Sequence, residues 1–246
     1  MRPFRPCAVV PTYDNPITVR AVVEGIRERS LEIVLIDDGS AADGEATCRE
    51  IEVAGLATRI RFDKNRGKGA AVKSGFRRAS ELGFTHAFQI DADGQHDLER
   101  IPTFLEAAAE HPTALVLGYP IFDDSVPEHR KIGRRFTSMW VALEVGSRTA
   151  IVDSLIGFRV YPLDAALAVE RSGNRMDFDV EIAVRMVRSG TPTVNLPVRV
   201  HYPTPEKGGV SHFRMIHDNV RFSVLHGRLC TSGCFQWLRR AVAKKA

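Results

Sequence analysis

The chain reads EIVLIDDGS from Glu32 to Ser40, so an apolar, β-branched run passes directly into a polar turn. A short run of this composition predicts a strand that is buried on both faces. The same arrangement recurs at His86–Ile90, which runs into DADG at Asp91–Gly94. Helical patterns separate these runs, and strands that alternate with helices predict an α/β fold with a mainly parallel central sheet flanked by helices. Ligands of such sheets bind beyond the carboxyl ends of the strands, where the polar turns lie.

The remaining elements follow the same alternation, less regularly in the second half. Further strands are expected at Cys7–Val10, Thr58–Phe62, Leu115–Gly118, Gly157–Tyr161 and Thr193–Val200. Helices are expected at Ile17–Arg27, Glu45–Ala54, Ala70–Leu82, Arg130–Arg148, Ala165–Arg171 and Phe178–Arg188, and from about residue 213 to 226. Tyr119–His129 is expected to be a loop. Phe136, Met139 and Trp140 recur at helical spacing and are expected to face the core.

The composition is that of a folded globular protein. The chain has 246 residues, of which 44% are hydrophobic and 26% charged. No apolar run approaches the ~18 residues that a membrane-spanning helix needs, and the first residues lack the pattern of a signal peptide. We therefore expect a cytoplasmic protein with a single domain at residues 1–228 and a basic C-terminal tail at 229–246.

Positive charge concentrates at the C-terminal end. The formal net charge is +4, and residues 219–246 contain six basic residues and no acidic one. Two interpretations remain open: the basic tail lies peripherally on the inner face of an anionic membrane, or it is a solvated helix. The slightly acidic remainder argues against nucleic acid as a partner.

A zinc site at the same end is disfavoured. His226, Cys230 and Cys234 recur at every fourth residue, but Gly227 and Gly233 are expected to interrupt the helix that would align them. The four cysteines of the chain are too few and too scattered for a disulfide framework.

The paired carboxylates of Asp91 and Asp93 are candidate ligands for a metal ion and a nucleotide. Two carboxylates one residue apart at a strand end diverge, so one can meet a ribose hydroxyl while the other binds a hard cation such as Mg²⁺ or Mn²⁺. Such a cation would neutralise the diphosphate of a leaving nucleotide. Gln95 and His96 extend this segment.

Two further turns suit a nucleotide. The turn at Asp37–Ser40 provides a carboxylate that can accept a hydrogen bond from a nucleobase. Asn65 and Lys68 belong to the sequence NRGKG, which combines backbone amides, two cations and the start of a helix. That combination is typical of a phosphate-binding segment.

The ordered set of motifs resembles the family 2 inverting glycosyltransferases with a GT-A fold, and the dolichol- or polyprenyl-phosphate sugar transferases in particular. The resemblance extends over roughly residues 7–225. The motifs that carry it are PTY from Pro11, DDGS from Asp37, NRGKG from Asn65, DADGQH from Asp91, GFR from Gly157, FDVE from Phe178 and GVSHF from Gly209.

This resemblance implies a role for each matching residue. Residues 1–118 would form the nucleotide-binding half and residues 119–228 the acceptor-binding half. Asp38 would contact the base, and Asp91 the ribose or the metal. Other expected roles are base-pocket lining by Pro11 and Tyr13, metal binding by Asp93 with Gln95, general-base catalysis by Asp179 with Glu181 as the second recurrent acid, and diphosphate contacts by His212 and Arg214.

The implied reaction is metal-dependent transfer of a sugar, with inversion, from a UDP- or GDP-sugar to a lipid-linked or polyprenyl-phosphate acceptor. On a helix, Asp179 and Glu181 point about 200° apart, so only one can face the donor. A phosphate acceptor needs no strong base, whereas Asp179 also permits a hydroxyl acceptor. Two alternatives remain: a nucleotidyltransferase that makes a nucleotide-sugar, and a non-catalytic nucleotide-sugar-binding protein.

Overall fold

The structure is a computed structural model that describes residues 2–122, 128–169, 172–201 and 220–232, with side chains except at positions 122 and 128–132. Within these ranges, seven strands form one sheet. In chain order they are β1 (Pro6–Thr12), β2 (Ile33–Asp37), β3 (Thr58–Arg61), β4 (His86–Ile90), β5 (Leu115–Phe122), β6 (Phe158–Pro162) and β7 (Thr193–Val200).

Helices connect most of these strands. They are α1 (Val19–Arg27), α2 (Ala42–Val53), α3 (Lys68–Glu81), α4 (Ile101–Glu110), α5 (Glu128–Val145), α6 (Leu163–Ala168) and α7 (Phe178–Arg188). A 3₁₀ turn at Leu98–Arg100 precedes α4. Residues 220–232 are also helical, and we call them the C-terminal helical segment.

The sheet has the strand order β3-β2-β1-β4-β6-β5-β7. Only β6 runs antiparallel to its neighbours β4 and β5, and the other neighbouring strands are parallel. The expected α/β fold with a mainly parallel sheet is confirmed. Because β1, β2 and β4 are parallel, their carboxyl ends, which precede Tyr13, Asp38 and Asp91, lie along one edge.

Apolar side chains cover both faces of the sheet. Helices α1, α2 and α4 pack on one face, with Val22, Ile51 and Phe104 buried there. Helices α3, α6 and α7 and the C-terminal helical segment pack on the other face. The helix α3 approaches closely at Gly75, where an added Cβ would lie 2.4 Å from a methyl group of Val9.

Two elements differ from the sequence-based expectation. The helix α4 was not predicted, although Ile101, Phe104 and Ala108 recur at helical spacing and Pro102 stands in its first turn. The strand β5 continues through Phe122 into the expected loop at Tyr119–His129, because its last residues pair with the end of β7.

The exposed face of α5 corrects a further expectation. Phe136, Met139 and Trp140 were expected in the core, but they are 60%, 58% and 40% exposed. The opposite face is buried instead, with Val141 and Glu144 packed inward. The helical period identified the two faces of α5 correctly but assigned the wrong one to the core.

The C-terminal helical segment contains Gly227, so this glycine does not interrupt the helix as expected. Leu229, where the basic tail was expected to begin, is buried in the core within this segment. Cys234 and the rest of the tail lie outside the described residues. No helix in the described part of the chain has the length and apolar character needed to cross a membrane.

Candidate active site

Asp38 holds the loop that precedes α3. Its two carboxylate oxygens accept hydrogen bonds from the backbone amides of Arg66 at 2.7 Å and Gly67 at 2.8 Å. Burial raises the pKa of Asp38, and these two amide bonds act in the opposite direction. Both oxygens of Asp38 therefore already bind the protein backbone, and the contact of this carboxylate with a nucleobase stays a prediction.

The loop is fixed from its other side by residues 174 and 175. Gly67 has a φ of +101°, and an added Cβ would lie 2.3 Å from the carbonyl oxygen of Asn174. The side-chain oxygen of Asn65 accepts a hydrogen bond from Arg175 at 2.7 Å. Asn65 thus joins the loop to the approach to α7, and its expected phosphate contact stays a prediction.

Lys68, the first residue of α3, lies between two carboxylates. Its ammonium nitrogen is 2.7 Å from Oδ2 of Asp91 and 2.7 Å from Oδ2 of Asp179. Burial would lower the pKa of Lys68, but the two carboxylates outweigh burial and raise it, so the ammonium stays charged. The structure therefore brings together three residues that the sequence assigned to separate motifs, which we call the Lys68 cluster.

Both carboxylate oxygens of Asp179 have a bonding partner. Its Oδ1 accepts a hydrogen bond from the Gln89 amide at 3.0 Å, while Oδ2 meets Lys68. Burial would raise the pKa of Asp179, but the positive charges of Lys68 and Arg159 prevail and lower it below the ordinary carboxyl value. A carboxylate with a lowered pKa and two bound oxygens is a weak proton acceptor.

A buried polar network supports Asp179, and sequence reasoning missed it. Arg159 donates to the backbone oxygen of Asp179 at 2.6 Å, and the Tyr161 hydroxyl donates to the side-chain oxygen of Gln89 at 3.2 Å. Gln89 and Arg159 are direct partners in the pairing of β4 with β6. The available signal was a polar residue inside each of two otherwise apolar strands.

Glu181 points away from the cluster, as the helical geometry predicts. It is 1% exposed, accepts from the backbone amide of Gly173 at 2.7 Å and pairs with Arg185. These contacts fix the segment before α7. Nothing in this arrangement brings Glu181 to Lys68 or Asp91, so its expected catalytic role stays a prediction.

Asp91 differs from Asp179 in that only one of its carboxylate oxygens, Oδ2, is bound. Its Oδ1 is buried without a hydrogen-bond partner, and an added Cβ at Gly157 would lie 2.2 Å from it. Burial raises the pKa of Asp91, the Lys68 charge opposes this effect, and Asp179 and Asp93 add to it. Gly157 thus provides the space for a carboxylate oxygen that is suited to a further ligand.

Asp93 and Gln95 follow in the same segment. Oδ1 of Asp93 accepts from the backbone amide of Gln95 at 3.1 Å, and the backbone oxygen of Gln95 accepts from His201 at 2.9 Å. The described residues contain no group of three or more His, Cys, Asp or Glu side chains arranged to hold a metal. Carboxylate oxygens are nevertheless the donors that Mg²⁺ and Mn²⁺ prefer, and the unpartnered oxygen of Asp91 fits such an ion.

The other expected contacts are placed as follows. Pro11 is buried in β1 opposite Ile36, and Tyr13 is half-buried just beyond the carboxyl end of β1. Both therefore lie at the edge of the sheet that carries Asp38. His212 and Arg214 lie outside the described residues.

A groove of about 990 Å³ runs beside the exposed face of α5. Met139, Trp140 and Leu143 line it, and Arg134 and two further arginines, Arg135 and Arg148, add positive charge. Arg134 is bonded to Asp153 at 2.6 Å. Asp153 also lines the groove, and its Oδ1 accepts from the backbone amide of Ile156 at 3.1 Å. The next residue, Gly157, accepts from the amide of Asp91, so one end of the groove is close to the aspartate segment.

The sequence is similar to those of known enzymes. The chain is 27% identical over 209 residues to undecaprenyl-phosphate mannosyltransferase of Micrococcus luteus, covering 79% of this chain and 83% of the relative. It is 23% identical to polyprenol monophosphomannose synthase of Mycolicibacterium smegmatis, covering 88% and 83%.

Solved structures share the fold. The crystal structure of glucosyl-3-phosphoglycerate synthase from Mycobacterium tuberculosis with Mn²⁺, UDP-glucose and phosphoglyceric acid superposes with a TM-score of 0.69 at 13% identity, covering 94% of this chain and 80% of that one. The fold is thus of the GT-A type. The model of glycosyl transferase family 2 matches residues 7–163. The chain therefore belongs to glycosyl transferase family 2 and is a glycosyltransferase.

Proposed function

We propose that the protein transfers a sugar, with inversion, from a UDP- or GDP-sugar to a polyprenyl phosphate. The observation that carries the choice of acceptor is the state of Asp179. Its oxygens are held by Gln89 and Lys68, and its pKa is lowered. An alcohol acceptor must lose a proton to a base, whereas a phosphate monoester is already an anion at neutral pH. The printed names of the undecaprenyl and polyprenol relatives support the same acceptor class.

In this proposal, the donor lies at the edge formed by β1, β2 and β4. Pro11, Tyr13 and Asp38 border the base, and the start of α3 with Lys68 faces the diphosphate. A helix N-terminus and an ammonium group both favour phosphate. A divalent cation held by Asp91 and Asp93 would stabilise the negative charge of the departing diphosphate.

The transfer step then needs little from the protein beyond position and charge. An oxygen of the acceptor phosphate forms a bond to the anomeric carbon from the face opposite the nucleotide. The bond from that carbon to the nucleoside diphosphate breaks, and the diphosphate leaves with the electron pair. Asp179 holds Lys68 in place, and its ionised carboxylate takes up no proton. The acceptor contributes no proton, so the step is balanced without a general base.

The α5 groove is the proposed location of the acceptor lipid. Apolar side chains that are exposed to water carry a free-energy cost that an isoprenoid chain would remove. Arginines near the aspartate segment suit the phosphate end of that lipid. Peripheral attachment to a membrane through this face, or through the basic tail, belongs to the same proposal.

The donor part is tested by thermal unfolding with Mn²⁺ and a panel of UDP-sugars, GDP-sugars and nucleoside triphosphates. A ligand at 100 times its dissociation constant adds about 2.7 kcal/mol of stability. We expect a metal-dependent shift with one nucleotide-sugar, and loss of the metal-dependent part in Asp93→Asn. A shift with triphosphates alone, together with pyrophosphate release on adding a sugar phosphate, would instead identify a nucleotidyltransferase.

A further inference from the structure

Lys68 forms ion pairs with both Asp91 and Asp179. The Lys68 side chain is only 13% exposed, and its ammonium nitrogen lies 2.7 Å from both Asp91 and Asp179. The three charged groups together therefore keep a net negative charge. The second oxygen of Asp91 is buried without a partner, so this carboxylate retains the capacity for another cation.

A divalent cation at Asp91 would meet the Lys68 ammonium at short range. The two are of like charge in a buried site, where water screens the repulsion poorly. Either the cation binds weakly or Lys68 leaves Asp91. We propose that Lys68 is an internal counter-ion that suppresses divalent-cation binding at Asp91 until a nucleotide diphosphate attracts the ammonium.

The structure of the cluster allows the Lys68 ammonium to move from Asp91 to a diphosphate. Lysine is a compact charge on a flexible four-carbon stem, and Lys68 begins α3, where the helix dipole also favours an incoming diphosphate. The ammonium has three N–H donors, so it can turn from Asp91 to the diphosphate and keep its contact with Asp179. Gln89 and Arg159 hold Asp179 in place during this exchange. Asp91 would be held by Gly157, whose backbone oxygen accepts from the amide of Asp91 at 3.1 Å.

Lys68 therefore controls when the metal binds, and it contacts the diphosphate once the nucleotide is present. The inference rests on the proposed function in placing a divalent cation at Asp91 and a nucleotide diphosphate at Lys68. It goes further in making metal binding and nucleotide binding depend on each other. Metal and nucleotide are then expected to bind together, each weakly alone.

The test is Mn²⁺ binding measured by electron paramagnetic resonance, without nucleotide and with UDP or GDP. The variants are Lys68→Met, which removes the charge, and Lys68→Arg, which keeps it. Lys64→Met is the matched control, since it removes an exposed positive charge from the preceding loop. Lys68→Gln is a second neutral variant that retains a hydrogen-bond donor, and circular dichroism verifies the fold of each protein.

Without nucleotide, we expect Lys68→Met and Lys68→Gln to bind Mn²⁺ at least about tenfold more tightly than the wild type, because a like charge at close range has been removed. Lys68→Arg and Lys64→Met should stay within about threefold of the wild type. UDP or GDP should reduce the difference in Mn²⁺ affinity between the wild type and the two neutral variants, because the wild-type ammonium then pairs with the diphosphate.

Equal or weaker Mn²⁺ binding by the folded neutral variants would overturn this inference and leave the proposed function intact. If the wild type and all variants failed to bind Mn²⁺ even with UDP or GDP, the metal in the proposed function would be refuted as well.

Discussion

Gln89 and Asp179 are 90 positions apart in the chain, yet the amide of Gln89 donates to Oδ1 of Asp179 at 3.0 Å in a fully buried setting. Gln89 belongs to the central strand β4, and Asp179 to the first turn of α7. This hydrogen bond ties the sheet edge that carries Asp91 to the helix that carries the second carboxylate of the Lys68 cluster.

We expect Gln89→Leu to misplace Asp179. The substitution leaves Oδ1 of Asp179 without its amide donor and the hydroxyl of Tyr161 without its acceptor. An unpaired buried polar group costs about 1–3 kcal/mol. Urea unfolding should register this loss, and turnover should fall by at least tenfold. Tyr161→Phe is the graded control, because it removes only the hydroxyl at the far end of Gln89. Its stability and turnover should fall less, and equal losses in both variants would contradict this account.

Gly157→Ala should displace the carboxylate of Asp91. The added Cβ would lie 2.2 Å from Oδ1 and 2.3 Å from Cγ of Asp91, so the carboxylate or the backbone at residue 157, just before β6, must move. We expect a destabilisation of about 1–3 kcal/mol and the loss of nearly all turnover. Gly133→Ala is the matched control, since no neighbouring atom in the described part of the chain lies within 4 Å of its added Cβ on α5. It should stabilise the protein by about 0.5–1 kcal/mol. Unchanged turnover in Gly157→Ala would show that the position of Asp91 is not critical.

Substitutions in the groove beside α5 should weaken binding of the acceptor lipid and leave binding of the nucleotide-sugar unchanged. Met139 and Leu143 are 58% and 68% exposed, so Met139→Ser with Leu143→Ser should change stability by less than about 0.5 kcal/mol. The KM for a long polyprenyl phosphate should rise severalfold, and the KM for the nucleotide-sugar should not change. Val53→Ser removes an 81% exposed apolar side chain from α2 and should have neither effect. A matching rise in the KM for both substrates would refute the lipid assignment.

His86 predicts a loss of stability in mild acid. It is 5% exposed, and its Nε2 lies 3.0 Å from the backbone oxygen of Pro112. Burial lowers the pKa of His86 below its ordinary value of 6.5. The unfolded chain therefore binds a proton at a higher pH than the folded chain, and the stability present above pH 6.5 declines as the pH falls toward the folded-state pKa. One such group contributes at most about 1.4 kcal/mol per pH unit.

The comparison for His86 is urea unfolding at pH 7.5 and 5.5 for the wild type and His86→Gln. The variant should lose less stability over this interval, because its side chain takes up no proton. If the two proteins lost the same amount, His86 would carry no pH-linked stability.

Local sequence patterns were sufficient to predict the fold class and the edge of the sheet at which the motifs meet. The runs at Glu32–Ile36 and His86–Ile90 are short and apolar, and each is followed by polar residues, so strand ends and motifs coincide. The position of β6 between β4 and β5 depends instead on long-range pairing, such as Gln89 with Arg159, which no local pattern encodes.

The candidate site was predictable in part for the same reason. Asp91 and Asp179 could be named from their motifs, but their shared ion pair with Lys68 depends on how α3 and α7 pack. The exposed face of α5 shows a further limit. Periodicity grouped Phe136 with Trp140 correctly, but only the packing of Val141 and Glu144 decides which face is covered.

The central claim is most directly tested by a pair of acceptors that differ only in the phosphate. The enzyme is incubated with Mn²⁺ and the nucleotide-sugar that stabilises it, and with either a polyprenyl phosphate or the polyprenol of the same length. Mass spectrometry then measures the glycosylated lipid. Both oxygens of Asp179 are bound, one by Gln89 and one by Lys68, so this carboxylate is a poor base, and we expect product from the phosphate and almost none from the alcohol. Product from the alcohol at a comparable rate, or from the alcohol alone, would contradict the account.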